Sequence, residues 1–122
     1  MAGLARLTRL KRRAEFLRVA GKGRKLGRGA LLVQVLEGGG DEATGNARLG
    51  FTATKKLGNA VVRNRAKRRM REAARLELSA NPAPGHDIVL VAREPIREAG
   101  FAAIRADLVL ALNKLGVKRN QS

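Results

Sequence analysis

Residues 55–75 read KKLGNAVVRNRAKRRMREAAR, and this stretch organises the rest of the chain. Nine of its 21 residues are Lys or Arg and Glu72 is its one acid. Gly58 and Asn59 break the preceding pattern, and an Asn side chain can accept from the first unpaired N–H groups of a helix, so the helix is expected to start at Asn59. At about 100° per residue, Val62, Ala66, Met70 and Ala73 fall within a narrow arc, which Ala74 widens slightly; this is the stripe expected to be buried. Arginine and lysine occupy most of the remaining circumference.

A solvated charged face ordinarily mixes signs, because Glu and Lys four residues apart stabilise a helix while like charges at that spacing destabilise it. Arg63, Lys67, Arg71 and Arg75 are like charges at that spacing. The helix is therefore read as awaiting an anionic partner, a phosphate backbone. The whole chain agrees, since 122 residues carry a formal net charge of +16. Nucleic acid is the first partner this implies and an anionic membrane surface the second.

That length suits one domain spanning 1–122, with 1–8 and 116–122 expected as flexible tails, and 44% hydrophobic content argues against wholesale disorder. With no cysteine and the single His86, disulfides, thiolate metal sites and a histidine-pair mechanism are excluded. The ten acids are scattered, so neither a catalytic centre nor a protein metal site is expected. No apolar run is long enough to span a bilayer, and the start, MAGLARLTRLKRRAEF, lacks a hydrophobic signal core, which fits a cytoplasmic protein. Its basic, somewhat amphipathic character leaves an organelle transit peptide as an alternative.

Upstream of the central stretch, a short basic helix is expected over 11–20, where Phe16 is either a core anchor or a stacking surface for an unpaired base. The run GKGRKLGRG, 21–29, suits a turn passing close to a backbone. Residues 30–36, ALLVQVL, read as a strand, and EGGGDEATGN as a glycine-rich loop whose Asp41 and Glu42 are a solubilising tip rather than catalytic carboxylates. Residues 47–54 alternate, with Leu49, Phe51 and Ala53 to one side and Arg48, Gly50, Thr52 and Thr54 to the other. Downstream, NPAPGH is a loop ending at His86, for which a surface or capping role is expected. DIVLVAR, 87–93, is an almost continuous apolar run, the mark of a central strand covered on both faces. A last helix over 98–115 puts Phe101, Ile104, Leu108, Ala111, Leu112 and Leu115 on one face, and the tail VKRNQS is expected to fray.

Strand, basic helix and strand form a βαβ unit, with the first two strands expected as a hairpin. The fold class is α+β: a two-layer sandwich with a three- to four-stranded sheet and about three helices.

KKLGNAVVRNRAKRRMRE, with RLKRRAEF upstream and DIVLVAR downstream, closely resembles the protein subunit of bacterial ribonuclease P, whose hallmark is an RNR-centred helix, here Arg63, Asn64 and Arg65. The resemblance runs from about Arg9 to Lys114. It implies a protein with no catalytic residues of its own that assists a large RNA subunit; the RNA, with bound magnesium ions, removes the 5′ leader of precursor tRNA. The βαβ crossover would be left-handed, against the general rule. By the same resemblance, Lys55, Lys56, Asn59, Arg63, Asn64, Arg65, Lys67, Arg68, Arg69 and Arg71 would bind the RNA subunit. Phe16, Arg18, Gln34, Thr52, Thr54 and Lys55 would bind the leader in a cleft between the first helix and the open sheet face. No cofactor bound by the protein alone, no membrane and no protein oligomer is required. The sequence departs from the family pattern at Ala20 and Gln34, where aromatics often stand, so leader binding should rest more on charge than on stacking. A ribosomal or RNA-chaperone protein is the alternative reading, and an autonomous nuclease a third.

Overall fold

In a computed structural model describing residues 7–119, the chain forms five strands and three helices. In order these are β1 (Thr8–Arg9), α1 (Arg13–Lys22), β2 (Arg24–Arg28), β3 (Leu31–Glu37), β4 (Arg48–Thr52), α2 (Ala60–Ala80), β5 (His86–Ala92) and α3 (Phe101–Lys114). Short 3-10 turns at Lys55–Leu57 and Glu94–Arg97 precede α2 and α3. The strands make one mixed sheet in the order β1-β4-β5-β3-β2. The class is α+β as expected, with five strands rather than three to four.

β5 is central, parallel to β4 and antiparallel to β3. Its apolar run is covered on both faces: Ile88 and Leu90 join Leu31, Val33 and Val35 against α2 and α3, while Val89 joins Val19 of α1 and Leu10 on the other side. Full burial of one such side chain contributes about 1.5–3 kcal/mol. In α2, Ala66, Met70, Ala73 and Ala74 are buried as the wheel implied, Val62 is half-buried, and the stripe continues through Leu78. Asn59 is the N-cap, its side-chain oxygen accepting from the Val62 N–H at 3.0 Å, a contact that typically contributes about 1 kcal/mol.

Two expectations about the sheet fail. The strands at 30–36 and 47–54 are not a hairpin, because β5 inserts between β3 and β4. The hairpin is β2–β3, with Arg24 opposite Val35 and Arg28 opposite Leu31. Glycine-rich 21–29 is thus α1's last turn and a strand rather than a turn alone. The close backbone approach it implied exists at Gly23, where a Cβ would lie 2.5 Å from the Val35 carbonyl oxygen and 2.6 Å from that of Val19.

Residues assigned to loose flanks are also tied down. Thr8 and Arg9 pair in parallel with Arg48 and Leu49. After α3, Val117 is buried and Arg119 forms an ion pair with Glu77 at 2.9 Å, because the buried Glu77 carboxylate needs a cation at the end of α2. The remainder of both expected tails, 1–6 and 120–122, lies outside the described residues. Between β3 and β4 the glycine-rich loop is closed by Asn46, whose side chain donates to the Leu78 carbonyl and accepts from the Ala83 N–H, both at 2.9 Å. His86 is buried at the start of β5, not on the surface, with Nδ1 2.9 Å from the Pro84 carbonyl oxygen.

Candidate nucleic-acid interface

The two flanks of α2 have different surroundings. Asn64, Lys67 and Arg71 face Arg9, Lys11 and Phe16 across a cleft of about 530 Å³. Its floor is Leu49, Gly50 and Phe51, where β4 runs on beyond the two residues that β1 covers. Among the described residues, four cations line this cleft and no carboxylate does. Arg65 and Arg69, on the opposite flank, face Ile96 and Arg97 around a smaller hollow of about 160 Å³.

The wall carrying Phe16 is fixed to the sheet by Arg48. Its Nε and Nη2 donate to the two oxygens of Asp87 at 2.9 and 2.7 Å, and its Nη1 donates to Glu15 of α1 at 2.9 Å. The other Glu15 oxygen accepts the backbone N–H groups of Lys11 and Arg12, both at 3.0 Å, closing the first turn of α1. These two N–H groups, then Arg48, hold the Glu15 carboxyl below its ordinary pKa. At Asp87, burial pushes the pKa up, but the hydrogen bonds from Arg48 and from the Gly40 N–H outweigh it, and the net shift is downward.

The expected RNA-binding residues thus divide by surroundings. Arg68 and Arg71 are exposed and Arg63 and Lys67 half-buried, and among the described residues no carboxylate pairs with any of the four. Arg75, the last rung of the ladder, is held by Glu72, Nε to Oε1 at 2.9 Å. Lys55, Lys56 and Asn59 lie exposed at the approach to α2, with Asn64 and Arg65 exposed in its first turns. Arg69 departs from the set: its Nη1 donates to the Ile96 carbonyl at 2.8 Å and its Nη2 to that of Ala99. Its planar fork is spent on backbone, and burial together with the nearby Arg65 charge lowers its pKa.

Of the expected leader residues, Phe16 is half-buried in the cleft with its ring against Gly50. Thr52 ends β4 half-buried, Thr54 is exposed just before the 3-10 turn, and Arg18 is exposed on α1. Gln34, paired with Val89 in the middle of the sheet, is buried and offers a ligand almost no surface. Two sets read as separate sites therefore meet in one cleft: Phe16 from one, Asn64, Lys67 and Arg71 from the other. Arg9, Lys11 and Gly50 also line it, although only a charge run and a glycine inside an alternating strand marked them in the sequence.

Among the described residues, no three of His, Asp or Glu gather where they could hold one metal ion, and no helix is long and apolar enough to cross a membrane.

A family model described as Ribonuclease P matches residues 4–116. The chain is 50% identical over 113 residues to the ribonuclease P protein component of Gluconacetobacter diazotrophicus, covering 93% of this chain and 95% of that one. It is 42% identical to the corresponding protein of Paramagnetospirillum magneticum, over 92% and 85% of the two chains. Among solved structures, the fold is similar to that of the Staphylococcus aureus RNase P protein, with a TM-score of 0.73 at 30% identity over 92% of this chain and 98% of that one. The RNase P protein from Thermotoga maritima matches with a TM-score of 0.70 at 30% identity, over 84% and 92%. None of these relatives favours the ribosomal or chaperone reading.

Proposed function

Because the chain belongs to the ribonuclease P protein family and is a protein subunit of that ribonucleoprotein tRNA-processing endoribonuclease, we propose that it braces the RNA subunit with α2 and guides the 5′ leader of precursor tRNA through the cleft beside α1. The observation that carries this reading is the cleft itself, where Phe16 and the cations Arg9, Lys11, Lys67 and Arg71 surround one strand edge. A single RNA strand needs both elements, an apolar face for a base and positive charge along its phosphates.

In this reading Arg63, Arg65 and Arg68, with Lys55, Lys56 and Asn59, contact the RNA subunit. Arginine suits that role because its fork engages phosphate oxygens by two parallel hydrogen bonds. Asn64, Lys67 and Arg71 sit between the two RNAs. Phe16, Thr52, Thr54, Lys55 and Arg18 serve the leader, whereas Gln34 and Arg69 are too enclosed to take part. Hydrolysis belongs to the RNA subunit and its magnesium ions, an assignment supported by the scattering of this chain's carboxylates. The protein supplies the positive charge that otherwise has to come from added cations, and it works in the cytoplasm, where precursor tRNA is made.

Cleavage of precursor tRNA by the RNA subunit at low magnesium tests the proposal. Added protein should restore it, and no restoration would sink the reading. Phe16→Ala is expected to weaken binding of leader-bearing precursor by about 1–3 kcal/mol, the range for one stacked base, with mature tRNA unaffected. Phe16 also packs on the cluster of Leu10, Val19 and Val89, so an equal loss for mature tRNA would mean that the ring serves only the core.

A further inference from the structure

We infer that Gly50 is a positioning residue for the leader, setting how deep the Phe16 ring lies in the cleft; this rests on the leader reading above. A Cβ at Gly50 would stand 2.5 Å from Phe16 Cε2, 2.8 Å from Cζ and 3.2 Å from Cδ2. All three atoms belong to the far end of one side chain, so the ring would yield and not the backbone. Gly50 is paired with Val89 within a regular stretch of β4 and does not have a positive φ. Nothing in its own conformation therefore calls for glycine, and what the missing side chain provides is the space the ring occupies.

The consequence for binding is geometric. With the ring against the β4 backbone, the cleft between Phe16 and the wall formed by Asn64, Lys67 and Arg71 stays open. A side chain at 50 would lift the ring into that space and narrow the passage beside the cations. Gly50 would thus act only through Phe16, leaving the RNA-subunit face of α2 untouched.

The test uses holoenzyme reconstituted with Gly50→Ala, Gly50→Val, Phe16→Ala and the double variant Gly50→Val/Phe16→Ala. Binding of precursor with a leader is compared with binding of mature tRNA. Gly50→Val should weaken leader-bearing precursor by about 5- to 150-fold, the range for one misplaced stacking contact, Gly50→Ala by less, and neither should change mature tRNA binding. In the Phe16→Ala background, Gly50→Val should add less than about twofold, because the group it displaces is gone. Equal losses in both backgrounds, or an equal loss for mature tRNA, overturn the assignment.

Nuclear Overhauser contacts of the Phe16 ring in the protein alone give a readout independent of RNA. Contacts to the Gly50 α-protons should be present in the parent chain, and the ring's contacts to its other neighbours should change in Gly50→Val. An unmoved ring overturns the role of Gly50. A ring that moves while neither Gly50→Val nor Phe16→Ala alters leader binding overturns the leader site itself, and Gly50's function with it.

Discussion

Arg48→Met is expected to destabilise the fold by about 2–4 kcal/mol at neutral pH, somewhat below the usual cost of orphaning a buried charge because the Arg48 side chain is itself 27% exposed. Asp87 has 2% of its side chain exposed and receives two of its hydrogen bonds from Arg48. In the variant, methionine can fill part of the volume but leaves that carboxylate, among the described residues, with only the Gly40 N–H as a hydrogen-bond donor. The sign of the pH dependence follows. Asp87 has its folded pKa depressed in the parent protein, so its contribution is present above the ordinary aspartate range and is lost as pH falls through the folded pKa. Without Arg48, burial dominates, and protonation relieves the variant while costing the parent. The stability gap should therefore be widest near neutrality and narrow towards acid pH, as urea unfolding at several pH values would register. A gap that stayed constant, or fell short of about 1 kcal/mol, would contradict the role of the clamp. Because Arg48 also holds Glu15, amide exchange in α1 should accelerate more than in α2.

The second large effect concerns charge. Replacing Arg63, Arg65 and Arg68 together by Ala should lower the magnitude of the slope of log K against log salt for binding the RNA subunit by about 2–3, at roughly 0.7–0.9 per lost phosphate contact. Over a fourfold rise in salt that slope difference amounts to about 20- to 40-fold, so the affinity loss at low salt should shrink by that factor. Alanine is a strong helix former and these side chains lie outside the buried stripe, so stability should hold. Arg69→Ala supplies the contrast. Its guanidinium ties α2 to the carbonyls of Ile96 and Ala99, and its loss should lower the unfolding midpoint while leaving the salt slope nearly intact. If Arg69→Ala changed the slope as much as a neighbouring arginine did, the commitment of the Arg69 guanidinium to the Ile96 and Ala99 carbonyls would be wrong.

How much of this was legible depends on how far apart in the chain the interacting groups stand. Asn59 was readable as a cap because the N–H it accepts is three residues away, and the stripe of Ala66, Met70 and Ala73 because helical period is a local property. The central place of β5 was visible in an apolar run that had to be covered twice. By contrast, β1 is two residues long and β2 carries a glycine and three cations, so neither has a pattern that marks it as a strand. Only pairing with β4 and β3 makes strands of them.

The periodic runs along the chain determined the α+β class and the basic helix, and the resemblance around Arg63, Asn64 and Arg65, with the net charge of +16, determined the family and the RNA partner, since period and motif are carried by contiguous residues and charge by composition. The tertiary structure alone decided that β5 separates β3 from β4, and that Phe16 and Arg71 share a cleft at the edge of β4. It also decided that Arg69, identical in charge to its neighbours, faces carbonyls instead of solvent. Strand order and the direction of a long side chain are set by contacts between distant segments, and no local period encodes them.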